Sequence, residues 1–268
     1  GEVRATTQRQ DLERMVAAGL NEVQIGIEAL STALLQKLNK GTRTIENLSI
    51  MKDCEEMGIK NVSNLILLLP GSDTRDVEET LYTIEFAGSF RPLKAVDFWL
   101  GLGSPLWQQP QKAGIKAIFT HRNWFYLFPE SMARNFPFSV LGYRGDRGYQ
   151  RRLWQPVRNA LKKWSKDWRV LHRGSVNKPI LSFRDGREFL IIRQRQAEMP
   201  TLTHRLTKMS ASIYRQCQRT KSIQEICAAH QSLAPATVRV FLEMMVSKRL
   251  MYNEDDYFLS LAVRERYR

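Results

Sequence analysis

The sequence predicts an α/β fold whose first hundred residues build a parallel sheet, followed by an α+β unit of the winged helix-turn-helix type. Three observations carry this reading. Four apolar runs of strand character alternate with helical patterns between residues 2 and 100, an alternation that implies right-handed βαβ units. Three helical patterns closed by a hairpin signal occupy the C-terminal end. The charge also divides: residues 1–150 hold 17 Lys/Arg and 17 Asp/Glu, whereas residues 151–268 hold 24 and 10 and supply the whole net charge of +14. Such asymmetry points to units with different tasks, the basic one suited to nucleic acid, an acidic peptide or an acidic neighbouring domain.

Taken in order, Glu2–Thr6 reads as a strand and Gln8–Ala18 as a helix, with Leu12, Met15 and Val16 on one face and Gly19 as its stop. Glu22–Ile27 is a short β run, followed by a helix from Ser31 to Leu38. A longer helix over Thr42–Met57 is ended by Gly58. Asn61–Leu69 is almost continuously apolar, as in a strand buried on both faces. Pro70-Gly71 turns the chain, Asp73 and Thr74 are cap candidates for a helix over Asp76–Gly88, and Ala95–Leu100 is the fourth strand. A four-stranded parallel sheet needs cover on both faces and leaves two open edges, so either an upstream partner beside the first strand or some other cover for that edge is expected.

Residues 101–150 read as loop-rich and aromatic, suited to a lid or to packing between units. Tyr149–Trp168 reads as one long helix with an apolar stripe opposed by basic residues. Beyond it, Ile180–Phe183 and Glu188–Arg193 flank Asp185-Gly186, a hairpin signal. Helices over Leu206–Gln218, Ile223–His230 and Pro235–Lys248 follow, with a Ser222/Glu225 capping box, and a second hairpin over Leu250–Asn253 and Tyr257–Leu261 closes the unit. The implied units are 1–107, 108–170 and 171–268. Cys54, Cys217 and Cys227 stand at no metal-ligand spacing, so free thiols in a reducing cytoplasm are expected.

The run Gln24-Ile-Gly-Ile-Glu28-Ala-Leu-Ser31, with Leu38-Asn-Lys-Gly41 after it, resembles the corresponding segment of radical S-adenosylmethionine (SAM) enzymes that follow a cobalamin-binding domain. Cys54-Glu-Glu-Met-Gly58-Ile, Asn64-Leu-Ile-Leu-Leu-Leu-Pro-Gly71 and Asp97–Trp107 continue the resemblance in order and spacing. Tyr143-Arg-Gly-Asp146, the Trp154-Gln-Pro156 helix and the winged tail look most like the branch that matures ribosomally made peptides, several members of which are thought to be C-methyltransferases.

The resemblance implies that residues 1–107 are the second half of a partial, TIM-like radical SAM barrel. It implies SAM as cofactor, with a [4Fe–4S] cluster and, as in the cobalamin-domain enzymes it resembles, cobalamin held by an upstream half of the same enzyme, because no C-x₃-C-x₂-C motif occurs in this chain. Alone, the chain is then expected not to cleave SAM. Polar residues at strand C-termini face the site in such barrels, which makes Glu2, Arg4, Gln24, Glu28 and Asn64 the cofactor-binding candidates. Glu28 would accept from the ribose hydroxyls or the methionine ammonium, and Arg4 would pair with the methionine carboxylate. Two departures stand out: Leu68 where the family has Gly, and Ser72 where it has Glu.

Arg184, Arg187, Arg193 and Arg195 are the candidates for gripping an acidic leader of a precursor peptide through the Ile180–Arg193 sheet edge. Nucleic acid is not the expected partner: the third helix of the winged unit opens Ala-Pro-Ala-Thr, the wing tip is Glu254-Asp255-Asp256, and Lys162, Lys163 and Lys166 of the basic helix Arg151–Trp168 read as a solvated face rather than a site for acidic lipid or nucleic acid. No membrane partner is expected. The alternative to an enzyme portion is a non-catalytic module that binds peptide or nucleic acid through the basic tail.

Overall fold

The computed structural model describes residues 1–173 and 178–265. The N-terminal part alternates β1 (Glu2–Val3), α1 (Arg9–Ala17), β2 (Glu22–Ile25), α2 (Thr32–Lys37), α3 (Thr44–Met57), β3 (Lys60–Asn61), β4 (Asn64–Leu67), α4 (Thr74–Ala87) and β5 (Lys94–Asp97). β1, β2 and β3 pair in parallel, as do β4 and β5, and a parallel bridge from Glu28 to Leu65 links the two groups. The expected parallel α/β half is therefore present. Val23, Ile25 and Ile27 alternate into the core under the helices, while Glu22 and Gln24 lie exposed on the other face.

The long strand expected over Asn61–Leu69 is two strands. Asn61 Oδ1 accepts the Ser63 N–H at 3.0 Å, and Ser63 Oγ accepts the N–H of Ile25 at 2.7 Å. A side chain thus takes the ladder's place for two residues.

The aromatic region holds more regular structure than the sequence pattern implied. β6 (Leu100–Gly101), α5 (Pro105–Gln108), β7 (Ala117–Thr120), α6 (Trp124–Leu127), α7 (Glu130–Asn135) and β8 (Val140–Arg144) follow, and β6-β8-β7 form an antiparallel sheet. The single helix expected over Tyr149–Trp168 is α8 (Arg147–Leu153) followed by α9 (Gln155–Leu171). Pro156 sits in the first turn of α9, where it lacks the N–H that would continue α8. Trp154 at the junction is fully buried and binds the loop after β4: its Nε1 donates to Ser72 Oγ at 2.8 Å.

Next come β9 (Leu181–Asp185), β10 (Phe189–Gln196), β11 (Met199–Thr207), α10 (Lys208–Gln216), β12 (Lys221–Ser222), α11 (Ile223–Ala229), α12 (Pro235–Ser247), β13 (Met251–Glu254), β14 (Tyr257–Ser260) and β15 (Val263–Arg264). The helix expected from Leu206 starts at Lys208, and β11 occupies the residues before it. The sheet runs β11-β10-β9-β15. The Ile180–Arg193 edge foreseen for an added peptide strand is therefore taken: β10 is covered by β11, and β15 pairs in parallel with Ser182 and Phe183 of β9. At the β9–β10 turn the left-handed residue is Arg187 (φ 67°), not Gly186. Gly186 is needed instead because a Cβ there would lie 2.4 Å from the Phe189 ring.

α10, α11 and α12 stand with a β12-β14-β13 antiparallel sheet. The Ser222/Glu225 box forms, with Glu225 N–H donating to Ser222 Oγ at 3.2 Å and Ser222 N–H to Glu225 Oε2 at 2.8 Å. One buried apolar cluster runs from Ala5 through Trp154 to Ala262, so this unit packs against the parallel half. Charges rivet the seam. Glu254 Oε2 accepts the N–H of Ile45 in the first turn of α3 at 2.8 Å and lies beside Arg43, a favourable place for a carboxylate. Of the acidic tip, Glu254 thus caps a neighbouring helix, while Asp255 and Asp256 stay exposed.

Candidate functional site

The C-terminal ends of β1 and β2 open onto a cavity of about 670 Å³ lined by Glu2, Val3, Arg4, Ala5, Thr6, Gly26, Glu28, Lys40 and Thr42. Each wall follows from local backbone. The β1–β2 register sets Glu2 opposite Gln24 and Val3 opposite Ile25, and Gly26 N–H donates to Val3 O at 3.1 Å. Glu28 lies three residues past the end of β2 and rejoins the sheet through an isolated parallel bridge to Leu65.

Glu28 is in the left-handed region, with φ 60°. For a residue with a side chain this conformation carries a steric cost. The bridge to Leu65 holds it there, with Ile66 N–H donating to Glu28 O at 2.8 Å. Its carboxylate meets Lys40 Nζ at 3.2 Å. The loop that carries Lys40 turns through Asn39 and Gly41, both with positive φ. Thr42 Oγ1, on the same wall, is buried and has no hydrogen-bond partner among the described residues.

Of the five cofactor candidates, Glu2, Arg4 and Glu28 line this cavity, and Gln24 and Asn64 do not. Gln24 sits lower on the same face of β2, and Asn64 opens β4, paired in register with Lys94. Lys40 and Thr42 were missed by sequence reasoning. The Lys-Gly pair was visible as part of a family-like run, but no pattern showed that the loop folds back over Glu28.

Leu68 and Ser72, set apart by the sequence comparison above, stand in distinct local surroundings. Leu68 has φ 62°, a backbone conformation that favours glycine; here a nearly buried leucine carries the strain. Ser72 is buried in a polar knot. Its Oγ lies 2.7 Å from both Leu69 O and Gln150 Oε1, and Gln150 Nε2 donates to Ser72 O at 2.9 Å. A Glu side chain would not fit between Trp154 and Gln150 without breaking that knot.

The four arginines of the basic hairpin do not converge. Arg184 and Arg193 both pair with Glu265, Arg193 at 3.5 Å. Arg195 donates to Lys178 O at 2.9 Å and to Leu171 O at the end of α9. Arg187 is exposed at the opposite end of the hairpin.

Among the described residues no group of three His, Cys, Asp or Glu could hold a metal ion. Cys54 and Cys217 are buried, and burial pushes both thiols up to about 12; such thiols are poor thiolate donors. The residues present do not fit an iron–sulfur cluster. No helix among the described residues is long and apolar enough to cross a membrane.

Residues 2–84 match the family model of the radical SAM superfamily. No curated protein matches the chain. Among solved structures, coproporphyrinogen III oxidase from Escherichia coli, described as a radical SAM enzyme, is similar at 11% identity and a TM-score of 0.39. That alignment covers 97% of this chain and 65% of the oxidase, so the chain spans about two thirds of that protein's length.

Proposed function

We propose that residues 1–107 form the second half of a radical SAM barrel, and that the cavity beside Glu28 holds part of SAM. The carrying observation is Glu28 itself, held in a strained conformation at the mouth of a 670 Å³ cavity within the family-matched segment. Two carboxylates and two cations line that cavity, a donor set suited to the zwitterionic methionine end and the ribose hydroxyls of SAM. Glu28 would accept from the ammonium or ribose, Arg4 and Lys40 would attract the carboxylate, and Thr42 would give its orphaned hydroxyl a partner. When bound to a reduced cluster elsewhere in the enzyme, SAM supplies an adenosyl radical. This chain's part is to bind, orient and exclude water.

Equilibrium dialysis with SAM tests this. Glu28→Gln is expected to weaken binding at least tenfold, since a charge-assisted hydrogen bond in a partly buried site contributes about 1.5–3 kcal/mol. Equal binding by the two proteins would remove the assignment.

The finer reading is modification, including C-methylation, of a ribosomally made peptide. It is supported by the order of Tyr143-Arg-Gly-Asp146 and Trp154-Gln-Pro156 behind the barrel half. Cobalamin would belong to the upstream portion; no residue described here speaks for it. We read the C-terminal unit as a winged helix, because three helices and a β12-β14-β13 sheet stand in that order. An acidic leader would approach the basic hairpin at its exposed turn, where Arg187 lies. Titrating a labelled acidic leader should give binding that Arg187→Glu weakens severalfold; indifference to that substitution counts against the hairpin.

A further inference from the structure

α9 is anchored on one side only. Val157, Leu161 and Trp164 are buried, and Trp164 Nε1 donates to Phe90 O at 3.0 Å just beyond α4. The opposite side is cationic. At 100° per residue, Lys162, Lys166 and Arg169 fall within an arc of about 60°, and Arg173 continues the line just past the helix end. All four are exposed, as are Arg151 and Arg152 on α8. At a rise of about 1.5 Å per residue the ladder from Lys162 to Arg173 is about 16 Å long.

Little on this surface neutralises it. The nearby acid Asp167 is already paired with Lys163, and Asp97 with Arg158. Lys162, Lys166 and Arg173 have no ion pair among the described residues. Arg195 adds a further cation at the end of α9 through its bond to Leu171 O.

The chemistry of the face selects its partner. Among the described residues no large exposed apolar side chain lies between Arg151 and Arg173, and the one exposed aromatic of α8 is Tyr149, before the ladder. A protein interface needs an apolar core, and an amphipathic helix on a bilayer needs apolar anchors. A phosphodiester backbone needs neither, because cations bind it by displacing condensed counterions. We propose that the exposed face of α9, with the end of α8, docks the phosphate backbone of a nucleic acid strand without reading its sequence. The surface differs from the winged unit, whose third helix and acidic tip disfavour such contact, and it stands apart from the SAM cavity.

Fluorescence anisotropy of a mixed-sequence, single-stranded oligonucleotide against the chain, over a salt series, is the test. Binding at low salt is expected, with the triple variant Lys162→Gln/Lys166→Gln/Arg169→Gln losing at least tenfold in affinity. Three lost cations should also flatten the log–log salt slope by about 2. Lys112→Gln/Lys116→Gln/Arg122→Gln removes the same charge from exposed positions outside the ladder and should cost much less. No binding by the parent protein, equal losses in the two triple variants, or preference for a polyglutamate peptide or phosphatidylserine vesicles over the oligonucleotide would each overturn the proposal. Unchanged thermal unfolding of the variants separates lost docking from lost folding.

Discussion

Trp154→Ala is expected to lower the free energy of unfolding by about 3–5 kcal/mol, the range for emptying a fully buried aromatic site. Trp154 is 0% exposed, and it sits where α8 hands over to α9. Its ring joins the apolar cluster that unites the parallel half with the C-terminal unit. Its Nε1 also donates to Ser72 Oγ at 2.8 Å, inside a knot that includes Gln150 and Asp146. Removing the indole opens a cavity and leaves buried polar atoms short of a partner, and both effects act in the same direction. Trp154→Phe separates them: it keeps most of the ring and deletes only the N–H, for an expected cost of about 1–3 kcal/mol. Urea unfolding of the three proteins measures both numbers, and an alanine variant within 1 kcal/mol of the parent would refute the structural role given to the junction.

The second large effect is on stability against pH. Lys52 of α3 is 1% exposed, and its Nζ donates to Gln218 O and Oε1, each at 2.8 Å. Asp53 and Glu56 on the same helix, Arg9 on α1 and Arg219 after α10 surround it, with Asp53 bridging Arg9 and Arg219 at 2.9 Å. Burial is the dominant influence and pushes the ammonium down from 10.5 to about 7. Between those values the unfolded chain holds a proton that the folded protein lacks, so stability rises with pH, by up to about 1.4 kcal/mol per unit. Below pH 7 both states are protonated and the burden is complete.

Above pH 9 the sign reverses. Cys54 and Cys217, pushed by burial from 9.0 up to about 12, keep protons that the unfolded chain loses. Maximum stability is therefore expected near pH 9. Urea unfolding at unit pH steps from 6 to 11 should show the rise, and Lys52→Met should flatten the limb between 7 and 9. A parent protein whose stability falls steadily across that limb would contradict the account.

How much of this was legible in the chain depends on the range of the force involved. Gly58 ends α3 with φ 72°, as its lack of a Cβ allows. Ser222 and Glu225 close their box, and Glu254-Asp255-Asp256 turns the β13–β14 hairpin. Each signal acts over three or four residues, where steric and hydrogen-bond preferences of the local backbone decide the outcome. Periodicity likewise marked the βαβ order and the amphipathic face of α9, because burial imposes a repeat of two or 3.6 on any chain.

Other features needed the distant partner to arrive. β11, led by Met199-Pro200 and largely exposed, lacks the alternation that burial writes into a strand; pairing with β10 makes it one. The break between β3 and β4 depends on Ile25 reaching Ser63, 38 residues away. The site divided in the same way. Glu28 stands just past a strand that the sequence pattern marks, whereas Lys40 and Thr42 come to the same cavity only through the closed loop.

The sequence by itself thus determined the βαβ order of the first hundred residues and the local caps and turns that bound their helices and hairpins. Tertiary structure alone decided which charges are buried, which edges are covered and which loop completes the cavity. The reason is that desolvation and pairing energies depend on the neighbours that packing supplies, and local sequence does not encode where those neighbours will be.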